Sequence, residues 1–322
     1  MSSRPVVAKK DRLEEERELL RRLLEREGLS APGAQSSAQE QTSISSTDGS
    51  VTRASLFPLS YEQEQLWFLD RFNPGTAFYN VPMTLRLKGG LDVALLERSL
   101  QEVVRRHEIL RTCFVTDEHG HPMQKVVGER CDVRLPVMDL QRLEPDAREE
   151  QAKKVIAEES SAAFDLNRAP LLRGVLVRMD DNDHVLRLTL HHSICDEWSL
   201  GVLMEELEQL YVAYGRGEES PLPELQMQYG EYALQQKQEL DEKKLQQQME
   251  YWKEQLEGMP QVLELPTDYG RPAQMSFRGG MLARDLQGDL LKGLNAVGRG
   301  EGASLFMTSL AAFQVLLMRY TG

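Results

Sequence analysis

Apolar positions recur along this chain with two periods, and each change of period marks a new element. SYEQEQLWFLDRF, residues 60–72, opens like a helix, with Ser60 as N-cap and Gln63 three residues on. VPMTLRLKG (residues 81–89) reads as a strand. Asp92 can cap a helix whose inner face is Leu96, Leu100, Val103 and Val104. RTCFVTDEHGHPMQKVV (residues 111–127) reads as two strands about a His-Gly turn, and residues 146–163 as a charged helix. LLRGVLVRMDDNDHVLRLTLHH (residues 171–192) predicts two strands joined by an acidic turn at Asp180–Asp183. A helix follows over residues 200–214, with Leu203, Leu207, Leu210 and Tyr211 on one face, ended by Gly215, Gly217 and Pro221. A long polar helix is expected from Tyr229 to Leu256, then a link rich in proline and a strand over residues 277–286.

The two ends of the chain differ from this middle. Residues 11–29 read as one helix with a narrow stripe of Leu13, Leu20, Leu23 and Leu24, and Gly28 as its stop. Residues 30–54 are rich in Ser, Gln, Thr and Gly and read as a flexible linker. The helix is either a solvated tail or a docking element for another polypeptide. At the other end, SLFMTSLAAFQVLLMRYTG (residues 304–322) is so apolar that it needs cover on several faces, so the chain is expected to be cut in mid-domain.

Composition narrows the function classes. Of 322 residues, 41% are hydrophobic and 28% charged, as in soluble globular proteins. The net charge is −13, from 38 basic and 51 acidic residues, which argues against nucleic acid as the main ligand. No apolar run approaches the ~20 residues of a membrane helix. Cys113, Cys131 and Cys195 fit no zinc or redox spacing, and the expected compartment is the reducing cytoplasm. No HExxH-like spacing suggests a metal.

The sharpest chemical signal is LTLHHSICDEWS, residues 188–199. Side chains alternate along a strand, so His191 and His192 face opposite ways, one inward and one toward a cleft. Asp196, four residues on, can fold back to brace the loop, just ahead of a helix capped near Ser199. An imidazole titrates near ~6.5 and suits proton transfer at neutral pH. No serine or cysteine nucleophile has a clear motif, and Cys195 reads as a packing residue, so direct attack by a substrate amine or hydroxyl fits best.

HHSICDEWS resembles the HHxxxDG motif of condensation domains of nonribosomal peptide synthetases, in the chloramphenicol acetyltransferase-like superfamily. Other segments agree in order. Residues 59–82 resemble the family's first motif, RRHEILRTCF (residues 105–114) its second, YGEYALQQ (residues 229–236) a variant of YxDYAxW, and residues 251–272 also match. The resemblance implies an α/β, two-lobed chloramphenicol acetyltransferase-like fold with a tunnel between the lobes. The first lobe is expected complete over residues 55–225. A connecting helix and link then cover 226–274, and a truncated second lobe opens at 275–322. It implies amide formation between a carrier-bound acyl or peptidyl thioester donor and a carrier-bound aminoacyl acceptor. The domain itself would bind no cofactor, because the phosphopantetheine belongs to the donor and acceptor carrier proteins. Residues 11–29 could then meet an upstream synthetase or polyketide subunit.

The resemblance also assigns roles. His192 takes the catalytic position, either as base or as the group that positions the amine. His191 supports it. Asp196 is expected as an ion-paired brace, its arginine partner either Arg111 or a residue beyond Gly322. The motif's glycine is Glu197 here. Directed into the tunnel, Glu197 would favour the His192 cation and weaken the base; directed to solvent, it is a helix-dipole partner. Glu231 and Gln236 also depart from the pattern, in a segment expected to be structural. Three alternatives remain open: a starter domain that acylates the first amino acid, a carrier-binding module silenced by Glu197, and a free-standing acetyltransferase using coenzyme A.

Overall fold

The structure is a computed structural model that describes residues 55–128, 131, 133–240, 242–260, 262–271, 280, 282–286 and 288–321. The expected N-terminal helix and linker lie outside these residues, as do residues 277–279 and 281 of the expected strand at 277–286. The rest of that segment, 280 and 282–286, has no regular structure. The chain divides into two compact units, 1–241 and 242–322.

The first unit contains β1 (Ser55–Pro58), α1 (Tyr61–Phe72), β2 (Asn80–Lys88), α2 (Val93–Arg106), a short 3-10 turn (Glu108–Arg111), β3 (Thr112–Thr116) and β4 (Pro122–Val126). It continues with β5 (Val137–Asp139), α3 (Pro145–Ser161), β6 (Leu172–Asp180), β7 (Asp183–His191), α4 (Glu197–Gly215) and α5 (Tyr229–Glu239). One sheet is antiparallel, in the order β1-β4-β3. The other runs β2-β7-β6-β5, with β5 parallel to β6 and the remaining pairs antiparallel.

Strand alternation gives the larger sheet two apolar faces. Leu186, Leu188 and Leu190 of β7, with Leu172 and Leu176 of β6, join Leu100, Val103, Leu207 and Leu210 in the main core. Val175, Val177, Met179 and Val185 enter a second cluster with Ala152 and Val155 of α3. Each fully buried Leu is worth about 1.5–3 kcal/mol, so register is strongly fixed: a slip of one residue would exchange both faces. At Gly174 a Cβ would lie 2.6 Å from Leu188 Cδ2 and 2.9 Å from the Arg187 carbonyl, so this close strand contact admits no side chain.

The local signals of the first unit are realised closely. Ser60 and Gln63 form a reciprocal capping box on α1, and Asp92 accepts the Leu95 N–H on α2. Two expectations change. The helix after the histidines begins at Glu197, three residues before the expected start, because Asp196 rather than Ser199 is its N-cap. The polar stretch from Tyr229 is two helices, since α5 ends at Glu239 and the Leu240 N–H closes on the Gln236 carbonyl. The Tyr61 hydroxyl donates to the Leu240 carbonyl at 3.3 Å, a tertiary anchor that periodicity does not reveal.

In the second unit, α6 (Glu242–Gln255), α7 (Gly288–Gly300) and α8 (Leu305–Thr321) are helical. α8 matches the expected terminal helix, and Phe306, Met307, Phe313 and Leu316 on it are exposed among the described residues. No single helix among the described residues is long and apolar enough to cross a membrane.

Candidate functional site

The ladder of β7 ends at His191, paired with Asn80 at the start of β2. The chain then turns sharply. The His192 N–H donates to the Tyr79 carbonyl at 2.8 Å, and the Ile194 N–H to the His191 carbonyl at 3.0 Å. This turn separates the two histidines. His191 is 3% exposed, whereas His192 is exposed, and its ring has no hydrogen-bond partner among the described residues. The two side chains therefore face differently, as expected, through strand end and turn together, but the exposed His192 lines none of the described cavities, so the expected cleft is not seen beside it.

His191 is held from several sides. Its Nδ1 accepts the Ser193 N–H at 3.2 Å and lies 2.7 Å from the Ser193 hydroxyl. An acceptor Nδ1 places the proton of the neutral ring on Nε2. Tyr79 and Phe164 meet the ring edge-on, each with centroids 6.2 Å away. Burial, with a smaller contribution from His192, pushes the His191 pKa down to about 4, so the ring is neutral at physiological pH.

Asp196 braces this turn in a different way from the one expected. Its Oδ1 accepts the Ser199 N–H at 2.7 Å and the Ser199 hydroxyl at 2.5 Å, capping α4. Those bonds from Ser199 hold the carboxyl below its usual range, with a smaller contribution from His192. Arg111 is engaged elsewhere: it pairs with Glu108 at 3.0 Å and donates to the Val127 carbonyl at 2.5 Å. The buried arginine thus ties the 3-10 turn to the end of β4 and is not paired with Asp196.

Glu197 is exposed at the first position of α4. Its backbone is helical, so the freedom of a glycine is not needed there, and its carboxylate sits at the favourable end of the helix dipole. Glu231 and Gln236 have defined work. Glu231 accepts the Gln228 N–H at 2.8 Å in a capping box, and Gln236 Oε1 accepts the Tyr61 N–H at 3.0 Å. Cys195 is buried against the turn, and burial pushes its thiol up to about 12, which suits packing and not nucleophilic attack.

A cavity of about 320 Å³ adjoins the same turn, lined among others by Ile194, Cys195, Trp198, Leu203, Met227 and Tyr229. His192 is not among its lining residues. Trp198, 83% exposed, lines this mostly apolar recess. Sequence reasoning missed it, although a tryptophan directly after the motif was visible. It also missed the role of Gln63, whose Nε2 donates to the Ser193 carbonyl at 3.1 Å. The sequence marked Gln63 only as half of a capping box, four residues before Trp67 on the buried face of α1. Among the described residues no three His, Cys, Asp or Glu side chains cluster as metal ligands.

Comparison with known proteins supplies the family. The profile described as Condensation domain matches residues 54–322. A linear gramicidin synthase component of Brevibacillus parabrevis is 44% identical over 272 residues, which are 84% of this chain and 5% of that protein. The chain thus spans a small part of such relatives. The first condensation domain of the CDA synthetase superposes with a TM-score of 0.69 at 21% identity, over 83% of this chain and 63% of that one, a likeness of fold. The X-domain solved in complex with OxyB from teicoplanin biosynthesis has a TM-score of 0.69 at 31% identity, over 84% of this chain and 58% of that one. The match over residues 54–322 and the 44% identity show that this chain belongs to the condensation-domain family of nonribosomal peptide synthetases, a family of amide-forming acyltransferases.

Proposed function

We propose that this chain carries the catalytic histidine of an amide-forming condensation domain. Condensation domains act on phosphopantetheine-tethered substrates of carrier proteins. In this reading the acceptor's amine nitrogen attacks the donor thioester carbonyl. A C–N bond forms, the C–S bond breaks, and the phosphopantetheine thiol leaves. His192 orients the attacking amine, takes up the proton that nitrogen loses and returns it to the departing thiolate. His191 and Asp196 hold the turn, Arg111 supports the fold beside it, and Glu197 is a tolerated variant facing solvent. Donor and acceptor carrier proteins are the partners, and residues 11–29 dock an upstream subunit.

The observation that carries this reading is the exposed His192 ring on a turn fixed by its own backbone, by buried neutral His191 and by the cap of α4. Preset orientation of tethered reactants can supply several kcal/mol of barrier lowering, up to about 7–11 kcal/mol. The test follows intact mass on a loaded acceptor carrier, in the full-length protein that carries this chain. Turnover that falls by about 10²–10⁴ in His192→Ala supports the reading. Undiminished transfer in that variant sinks it.

One observation favours a second reading, a binding module without chemistry. The X-domain, which is 31% identical to this chain, was solved bound to a partner, OxyB, and this chain has Glu197 at the motif's glycine. Absent turnover in the parent that appears in Glu197→Gly would select this reading.

A further inference from the structure

The histidine turn is anchored by a side chain 130 residues upstream of it. Gln63, on the inner face of α1, is 1% exposed. Its Oε1 accepts the Ser60 N–H at 3.1 Å, which completes the cap of α1. Its Nε2 has two protons and two buried acceptors: the Ser193 carbonyl at 3.1 Å and Gln124 Oε1 at 3.3 Å. Gln124, also 1% exposed, donates in turn to the Pro58 carbonyl at 2.8 Å. The amide orientation follows from these partners, since only Oε1 can receive the Ser60 N–H and only Nε2 can serve a carbonyl.

A continuous polar line therefore runs from Pro58 in β1 through Gln124 in β4 and Gln63 in α1 to Ser193. Ser193 passes it on, because its N–H and hydroxyl both meet His191 Nδ1. His192 lies between His191 and Ser193, so the line fixes both sides of it. Helix capping alone does not explain this arrangement. An acceptor at position 63 would serve Ser60, whereas the donor toward Ser193 serves only the turn. Burial would favour an apolar residue beside Trp67, yet one there would leave the Ser193 carbonyl and the Ser60 N–H without these partners.

We infer that Gln63 is a positioning residue for His192: its amide locks the Ser193 carbonyl and so sets the direction in which the exposed imidazole points. This rests on the reading of His192 as the working histidine. The physical claim about the turn can be measured without turnover.

The test compares Gln63→Leu with Val177→Ala, a core truncation in the cluster against α3, in the full-length protein. Thermal denaturation gives the folded fraction of each. Two readouts follow, per folded molecule. Hydrogen exchange of peptides covering residues 191–195 should quicken about tenfold or more in Gln63→Leu and stay at the parent rate in Val177→Ala. Turnover should lose about tenfold or more in kcat while KM for the loaded acceptor carrier stays within about threefold, the signature of a misdirected group and not of lost binding. Gln63→Met, closest in length, is the second variant should the leucine variant fail to fold. Faster exchange with an inactive parent keeps the positioning claim and removes the catalytic reading. Exchange at the parent rate in Gln63→Leu or Gln63→Met overturns the inference, whatever turnover does. So does an exchange change matched by Val177→Ala, because the effect would then be general destabilisation.

Discussion

Asp196 offers the cleanest test of how the histidine turn is held. Sequence reasoning expected an ion pair; among the described residues Asp196 is not paired with Arg111 and caps a helix, through two bonds from Ser199 to one carboxylate oxygen. The two arrangements differ in energy and in chemistry. Losing a cap costs about 0.5–2 kcal/mol, typically ~1. Breaking one partner of a buried ion pair costs about 3–5 kcal/mol. Asp196 is exposed, so the smaller figure applies. Asp196→Ala should therefore lose about 1 kcal/mol, a fall in Tm of about 2–4 °C for a domain of this size. Asparagine caps nearly as well as aspartate, so Asp196→Asn should lose only a few tenths of a kcal/mol, mostly the charge at the dipole end. An ion-paired brace would make Asn nearly as harmful as Ala, since both remove the charge. Urea and thermal denaturation of the parent and both variants decide it. The folded carboxyl titrates below its usual range, so its contribution is present above pH ~4 and disappears as pH falls through the lowered value. Equal losses above about 3 kcal/mol in both variants would refute the cap assignment.

Three further outcomes are expected. His191 is neutral in the fold, with its pKa pushed down to about 4, while an unfolded histidine protonates near ~6.5, so its burial should cost stability as pH drops from about 6.5 to 4, by about 3 kcal/mol in all; urea midpoints across that range should fall less steeply in His191→Gln, and parallel curves would refute the assignment. Gly230→Ala places a Cβ 2.5 Å from Phe57 Cδ2, so it should cost about 1–3 kcal/mol and loosen α5 from β1, read as faster exchange over residues 229–239. Cys195, its thiol pushed up to about 12 by burial, should resist alkylation at pH 8 in the folded protein and react on denaturation; native labelling at the denatured rate would refute its packing role.

What the sequence determined by itself is what repeats locally. The cap of α1 at Ser60 and Gln63, the inner face of α2, and the β6–β7 pair with its acidic turn all follow from residues within one element or its neighbour. The division of His191 and His192 was legible for the same reason, because alternation and a strand end are local facts. The motifs that surround them gave the family. The tertiary structure alone decided matters that depend on partners far along the chain. α5 stops at Glu239, where the Tyr61 hydroxyl donates to the Leu240 carbonyl from 179 residues away, although the polar pattern runs on. Arg111 joins Glu108 and Val127, a choice that charge spacing could not make among several carboxylates. Gln63 looked like half of a capping box, and only the packing of α1 against the histidine turn gave its second proton a destination at Ser193. Periodicity reports which face of an element is buried. It carries no information about which distant polar group will meet that face, and the histidine turn is held by such groups.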